Sequence, residues 1–106
     1  MVSFEEFKKL EIRIAKVTQV LDHPNADKLY VLTIDLGDTT KQIVAGIKSG
    51  YSKEALVGRQ IVVINNLEPV FLRGVESQAM LLAAGDEKGV SLVMPDREMV
   101  LGSVVK

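Results

Sequence analysis

The sequence predicts an all-β protein in which five strands form a small barrel, and three observations lead to this prediction. Apolar and polar residues alternate over several short stretches, as they do in a strand with one buried face. Two runs free of charge, 60–67 and 80–84, are rich in aliphatic residues, as central strands are. One short helical pattern falls between the third and fourth strands. That order matches the partly open five-stranded Greek-key barrel called the OB-fold, whereas an SH3-like barrel would not place a helix there.

The chain begins with the pattern of a short helix. Ser3 is followed three residues later by Glu6, which is the spacing of a capping box, and Phe4 and Phe7 recur at helical spacing. We therefore predict an N-terminal helix over about residues 3–9. Its aromatic side either covers the core or packs against a second copy of the chain.

The first strand carries the sign of a bulge. From Leu10 apolar residues alternate with Glu11 and Arg13, but beyond Lys16 the alternation slips by one position. A slip of this kind inside one long strand is what a β-bulge produces, and it bends the strand so that it can serve two sheets. Strongly bent first strands are typical of small closed barrels.

The remaining elements of the barrel follow in order, separated by turn residues. They are a turn at 23–28, a second strand at 29–36, a third at 42–47, a short helix at 52–57, a fourth strand at 60–67 and a fifth at 80–84. The barrel is expected to cover about residues 10–85. All 106 residues then form one domain, because the chain is too short for two cores.

The residues after the fifth strand exceed what the barrel needs. A turn at 85–89 precedes the apolar run Val90–Met94, which predicts an extra strand, and an apolar tail follows at 100–105. This C-terminal extension, residues 89–106, must bury its apolar side chains either against the barrel wall or across a two-fold axis. We favour the second, because a dimer would also cover the exposed edge of the barrel.

Composition excludes several classes of function. The chain has no cysteine and one histidine, which removes disulfides, thiolate chemistry and a histidine-built metal site. No apolar run is long enough to span a bilayer and the N-terminus lacks a signal-peptide pattern, so we expect a cytoplasmic protein without a membrane partner. The net charge of -1 argues against binding long nucleic acid through bulk electrostatics. A compact folded nucleic acid needs only a few phosphate contacts.

Catalysis is not indicated. His23 lies beside a proline in a turn, with no serine or cysteine nucleophile pointing to it, so we interpret it as an ordinary turn histidine. Carboxylates such as Asp35 and Glu76 fall at outward or turn positions, where side chains are usually solvated. The segment 46–50 lacks the spacing of a phosphate-binding loop. We therefore expect no enzyme, no cofactor and no metal.

Two polar connections favour a binding function instead. On OB-folds the ligand crosses the second and third strands between the loops after the first and fourth strands, here 23–28 and 68–78. These loops are expected to converge at one end of the barrel, although 68–78 could also be an ordinary solvated hairpin loop. The candidate RNA-binding residues are Asn25, Lys28, Arg73, Ser77, Gln78 and Met80. Because aromatic residues are scarce, a structured RNA read by shape fits better than a single strand stacked base by base.

The same loops carry the motifs of a known family. The segment HPNADKL, from His23, and the segment LRGVESQAM, from Leu72, together resemble the tRNA-binding domain found at the C-terminus of many methionyl-tRNA synthetases and as a free-standing chain. Related copies occur in yeast and animal synthetase cofactors, including the precursor of endothelial monocyte-activating polypeptide, and in a bacterial export-chaperone-like protein. The likeness runs from about Phe4 to Val105.

The resemblance implies an OB-fold homodimer that recognises the folded shape of tRNA. It also implies a non-catalytic role, in which the domain assists an aminoacyl-tRNA synthetase, the methionyl enzyme first, in cis or in trans. The positions that match the family motifs are Asn25, Lys28, Arg73, Ser77, Gln78 and Met80. The chain departs from the family at Ala15 and Ala79, where glycine is common, and the methyl group of Ala79 is expected to narrow the surface beside Met80.

Two other functions stay open at this point. One is a peptide-binding dimer of the export-chaperone type, for which Val70–Leu72 and Met80 would supply an apolar rim. The other is a purely structural dimerisation domain of a larger enzyme. The first would suppress aggregation of other proteins, and the second would form a stable dimer without any ligand.

Overall fold

Nine short strands and two single-turn helices make up the fold in the computed structural model, which describes residues 1–106. In chain order they are α1 Phe4–Phe7, β1 Ile12–Asp22, β2 Tyr30–Asp35, β3 Thr40–Ala45, α2 Lys53–Leu56, β4 Gln60–Ile64, β5 Val70–Leu72, β6 Val75–Ser77, β7 Met80–Leu81, β8 Ala83–Asp86 and β9 Gly89–Leu92. The order predicted for the barrel is confirmed, with α2 between β3 and β4. Neither helix has the length and hydrophobicity needed to cross a membrane.

Five strands form the barrel wall, in the order β3-β2-β1-β4-β7, and each neighbouring pair is antiparallel. The first half of β1 pairs with β4 and its second half with β2. Its register with β2 shifts between Val17 and Gln19, so Thr18 is the extra residue of the predicted bulge. Ala15 lies before the bulge, is fully buried and pairs regularly with Ile61.

Aliphatic side chains fill the barrel and hold its wall in place. Along β2 each buried residue is followed by a half-buried one, which is the alternation expected of a strand with one face in the core. The largest fully buried side chains are Leu32, Ile34, Ile43, Leu56, Ile61, Val17 and Val63. Burial of each such side chain contributes roughly 1.5–3 kcal/mol, so this interior is the rigid support for the loops at either end.

The connection predicted as a loop over 68–78 is itself a β-hairpin. Strand β5 pairs with β6 from Val70 opposite Ser77 to Leu72 opposite Val75. Its two-residue turn is Arg73-Gly74, and both residues have positive φ, 53° and 88°. Positive φ at both central positions is the geometry that matches the twist of a hairpin. Strands of three residues are too short to show a period of two, which is why the pattern indicated only a loop.

The predicted fifth strand, 80–84, is divided between two sheets. Strand β7 pairs with β4, whereas β8 turns away and pairs with β9 in a separate hairpin. The division falls at Leu82, whose N–H donates to Val62 O of β4 and whose carbonyl accepts from Val93 N. The extra strand predicted at Val90–Met94 is therefore present as β9.

The two ends of the chain lie outside the barrel core. Every residue of α1 is exposed, so the helix does not cover the core, although its capping box between Ser3 and Glu6 is present. The C-terminal tail runs along the free edge of β1, where Gly102 N donates to Ile14 O at 2.8 Å and Val105 N donates to Ile12 O at 2.8 Å. Part of the extension therefore packs on the barrel wall of its own chain, one of the two placements considered.

Candidate nucleic-acid interface

The loop 23–28 and the β5–β6 hairpin contact each other directly. The side-chain amide of Asn25 donates to Arg73 O at 3.1 Å, and the Arg73 guanidinium donates back to Asn25 O at 3.2 Å. Both residues are exposed. The two loops expected to converge at one end of the barrel therefore do so, and a reciprocal pair of hydrogen bonds joins them.

His23 forms the buried part of this junction. Only 6% of the residue is exposed. Its Nδ1 accepts from the backbone N–H of Asn25 at 2.9 Å, and its Nε2 lies 2.8 Å from Leu72 O. Because a carbonyl oxygen can only accept, these partners assign the donor role to Nε2 and the acceptor role to Nδ1. The histidine is thus more than a turn residue, since it ties the loop to β5.

Ser77 and Gln78 close the barrel along the free edge of β3. The Ser77 hydroxyl accepts from Val44 N at 3.0 Å and donates to Ala79 O at 3.0 Å. The Gln78 side-chain oxygen accepts from Gln42 N at 2.9 Å, and Gln78 N donates to Gln42 O at 2.8 Å. Side chains here take the place of a partner strand and satisfy the N–H groups of an edge that would otherwise be unpaired.

This closing role was missed in the sequence because it depends on a partner far along the chain. Ser77 is only 5% exposed, and the remaining amide of Gln78 donates to the Glu76 carboxylate at 3.0 Å. The polar groups of both residues are therefore engaged within the chain. Their assignment as direct RNA contacts stays a prediction.

The cations near the junction come from more segments than the sequence motifs indicated. Lys28 is exposed and lines a shallow groove of about 390 Å³ together with Lys48. Asp22, next to His23, pairs with Lys53 at 2.9 Å and with Lys48 at 3.0 Å. Hydrogen bonds, from Lys53 first and Lys48 second, lower the pKa of Asp22, and its carboxylate in turn raises the pKa of Lys53. Lys48 follows β3 and Lys53 begins α2, so only the folded structure brings these two lysines close to the loop 23–28.

An apolar cavity of about 500 Å³ lies behind the hairpin. Met80 lines it and is 47% exposed, and its assignment as an apolar surface for RNA stays a prediction. Ala79 is 5% exposed and also lines the cavity beside Met80. The other apolar lining residues are Val44, Leu67, Val70 and Leu72.

Comparison with known proteins agrees with these features. Residues 12–104 match the family described as "Putative tRNA binding domain". The methionine--tRNA ligases of Thermococcus onnurineus and Thermococcus kodakarensis are 55% and 56% identical over 105 residues, and that of Nanoarchaeum equitans is 51% identical over 106 residues. These matches cover 99%, 99% and 100% of the chain, respectively, whereas the chain spans only 14% of the length of each of these relatives.

Solved structures share the whole fold. A MetRS related protein from Pyrococcus horikoshii has a TM-score of 0.92 at 32% identity, and the match covers 100% of this chain and 98% of that one. The chaperone CsaA from Bacillus anthracis str. Ames has a TM-score of 0.93 at 32% identity, covering 100% and 99%. The predicted OB-like barrel is confirmed. The family is one of binding domains rather than catalytic modules. The match over residues 12–104, together with 55% identity to a methionine--tRNA ligase over 99% of the chain, shows that the chain belongs to the tRNA-binding domain family.

Proposed function

We propose that the chain is a non-catalytic module that binds tRNA and recognises its folded shape with little regard for sequence. The observation that carries the proposal is the hydrogen-bonded junction between Asn25 and Arg73, which presents cations from two loops on one rigid surface. Lys28, Arg73 and Asn25 contact phosphate and sugar, and Met80 offers an apolar surface. Ser77 and Gln78 act mainly by holding the hairpin against β3.

Recognition by shape is supported by which side chains are available to contact RNA: several cations but no series of aromatic rings. A platform for single strands needs exposed aromatic rings in series. Tyr30 is only 4% exposed and its hydroxyl donates to Tyr51 O, while the half-buried ring of Tyr51 lies under the Arg59 guanidinium. Neither tyrosine is available for a series of bases. A few fixed cations that meet phosphates at set distances suit a folded RNA instead.

We further propose that the domain adds its tRNA affinity to an aminoacyl-tRNA synthetase, the methionyl enzyme first, in cis or in trans in the cytoplasm. The support is the similarity to methionine--tRNA ligases and to a MetRS related protein. The domain itself then performs no reaction. It raises the local concentration of tRNA at a catalytic unit to which it is joined or bound.

A homodimer is the proposed form of the module. Its support is the set of large apolar side chains that the chain leaves exposed at its two ends, including Phe4 at 69%, Val100 at 81% and Val104 at 59%. Residues 3–9 and 89–106 would supply the interface, because apolar side chains of this number are costly to leave in water.

The test of tRNA binding is a filter-binding comparison of three RNAs of equal length. A folded tRNA is expected to bind far more tightly than a single strand or a double helix, and its affinity is expected to fall as salt rises, since phosphate contacts release counterions. Equal affinity for the three RNAs would reject recognition by shape. A stable dimer that binds none of the three RNAs would reject tRNA binding and favour the hypothesis of a structural dimerisation domain.

A second candidate function is a peptide-binding dimer. The apolar cavity behind the hairpin and the TM-score of 0.93 to a protein named as the chaperone CsaA favour it. Pure protein would then suppress the aggregation of an unfolded test protein. Competition by an apolar peptide and not by tRNA would support this second function, and competition by tRNA would argue that both ligands share one surface.

A further inference from the structure

Phe71 is an aromatic residue that the barrel does not use. It lies in the middle of β5, and 69% of it is exposed. Side chains alternate along a strand, so Phe71 shares the outer face of the hairpin with its cross-strand partner Glu76. Its neighbours Val70 and Leu72 lie on the opposite face and line the apolar cavity. The neighbour of the ring on this face is therefore a charged residue and not an apolar one.

The position of the ring is fixed by the junction already described. The carbonyl of Leu72, the next residue, lies 2.8 Å from Nε2 of His23. Arg73, two residues on, is bound to Asn25. The carboxylate of Glu76 accepts from the Gln78 amide at 3.0 Å, so its charge is partly engaged beside the ring. Phe71 is thus held at the edge of the candidate interface with its surface open.

We propose that Phe71 stacks on one unstacked nucleobase of the bound RNA while Arg73 contacts a nearby phosphate. This inference rests on the proposed binding of tRNA. Every base has a π-face, so stacking adds affinity without demanding a particular sequence. Folded RNA presents such bases in its loops and at its ends.

A protein partner is the less suitable occupant of this face. Protein–protein interfaces bury contiguous apolar side chains at their centre. The alternation along β5 separates Phe71 from Val70 and Leu72, and its cross-strand neighbour is a glutamate. An exposed ring two residues from an arginine on the same hairpin fits a planar ligand that carries phosphate.

Substitutions at Phe71 distinguish the contribution of an aromatic ring to tRNA affinity from the contribution of apolar surface area. Phe71→Tyr keeps a ring and is expected to bind tRNA within about twofold of the original chain. Phe71→Leu keeps apolar area without a ring and is expected to bind at least about fivefold more weakly, the lower end of the cost of losing one base–aromatic stack. Because the residue is exposed, thermal unfolding should be similar in both variants.

A fluorescence measurement reports on the stack itself. The chain contains no tryptophan, so Phe71→Trp introduces a single indole. Its emission is expected to be quenched when tRNA binds. Val57→Trp is the matched control, because Val57 is 51% exposed but follows α2, outside both loops and outside the proposed dimer interface, and its emission should not change.

The outcomes distinguish this inference from the function on which it rests. Equal tRNA affinity of the Leu and Tyr variants, or an unquenched indole at position 71 in a saturated complex, would overturn the stacking role and leave tRNA binding intact. Failure of the original chain to bind tRNA would reject the proposed function and the stacking role together.

Discussion

Arg73 combines an unusual backbone conformation with a direct contact to the other loop. Its φ of 53° is the only positive value among the non-glycine residues. This conformation costs a side chain about 1–2 kcal/mol, so the surrounding contacts must hold it. The two hydrogen bonds shared with Asn25 do so, and they leave the remaining guanidinium donors free for an anion.

We predict that Arg73→Ala and Lys28→Ala each weaken tRNA binding by about 1–2 kcal/mol, because each removes a charge-assisted hydrogen bond to phosphate. The loss should be similar for different tRNAs, and the salt dependence should become less steep. Filter binding over a range of salt measures both. Lys88→Ala, in the turn between β8 and β9, is the control, and an equal loss in that variant would show that only net charge matters.

The ion pairs of Asp22 restrain Lys48 and Lys53 beside the loop 23–28. Because the pKa of Asp22 is lowered, the pair stabilises the fold above the ordinary carboxyl value of 3.8, and this contribution is lost as the pH falls below it. Because the pKa of Lys53 is raised, its contribution is present below 10.5 and is lost as the pH rises through the raised value. Lys53 is therefore charged and paired with Asp22 near neutral pH.

Asp22→Asn is predicted to raise tRNA affinity by about twofold to fivefold at low salt, because it removes a negative charge next to Lys48 and Lys53. Asp38→Asn is the matched control, since Asp38 lies in a cavity beside Leu101 and Gly102 instead. Titration of tRNA at two salt concentrations measures the effect. Identical gains in the two variants would contradict a local role for these lysines.

At the scale of elements, the hairpin and β3 depend on each other. The buried hydroxyl of Ser77 pairs with Val44 N and Ala79 O, so its removal leaves a donor and an acceptor without a partner. Ser77→Ala is therefore expected to lower the free energy of unfolding by about 1–3 kcal/mol. Urea denaturation measures the change, and Ser91→Ala, at an exposed position of β9, serves as the control. A loss of tRNA affinity without any loss of stability would instead indicate a direct RNA contact.

The tail depends on a glycine where it crosses the turn after β2. Gly102 has a φ of 85°, and a Cβ there would lie 2.5 Å from Leu36 O. Gly58 has a similar φ of 92° but open space around it. Gly102→Ala is expected to destabilise the chain by at least about 1 kcal/mol more than Gly58→Ala, because only the first adds a clash to the backbone strain. Equal costs in denaturant unfolding would show that the tail moves away freely.

The molecule as a whole has its apolar ends on the outside. The tail and Met99 cover Ile12 and Ile14 on the outer wall of the barrel, but Phe4 and Val104 remain exposed. A single copy therefore closes its own barrel edge and still presents apolar surface. That surface is the reason to propose that a second copy packs against it.

Sedimentation at micromolar concentration is predicted to show a dimer. Phe4→Asp or Val104→Asp should shift it towards the monomer, because a buried unpaired charge is costly at an interface. Leu21→Asp, at a residue 50% exposed on β1, should leave the dimer intact. A monomer of the original chain at this concentration would contradict the prediction.

Local patterns were enough to predict strands β1 to β4, the capping box of α1 and the bulge. The alternation along β2, the capping box at Ser3 and the slipped period near Thr18 are each written within a few neighbouring residues. The two loop motifs were equally local, and they were enough to predict the family. Burial and turn chemistry act over such short distances, so the sequence could predict them.

Only the tertiary structure decided which groups, distant along the chain, form hydrogen bonds and ion pairs with each other. It paired Ser77 and Gln78 with β3, brought Lys48 and Lys53 to Asp22, and laid the tail along β1. None of these contacts can be read from the periodicity of the sequence. Each joins groups that are far apart along the chain and meet only when the barrel closes. The sequence by itself determined most strands of the barrel, the bulge and the family. It could not determine the whole candidate site, because an unpaired strand edge or charge finds its partner only after the chain has folded.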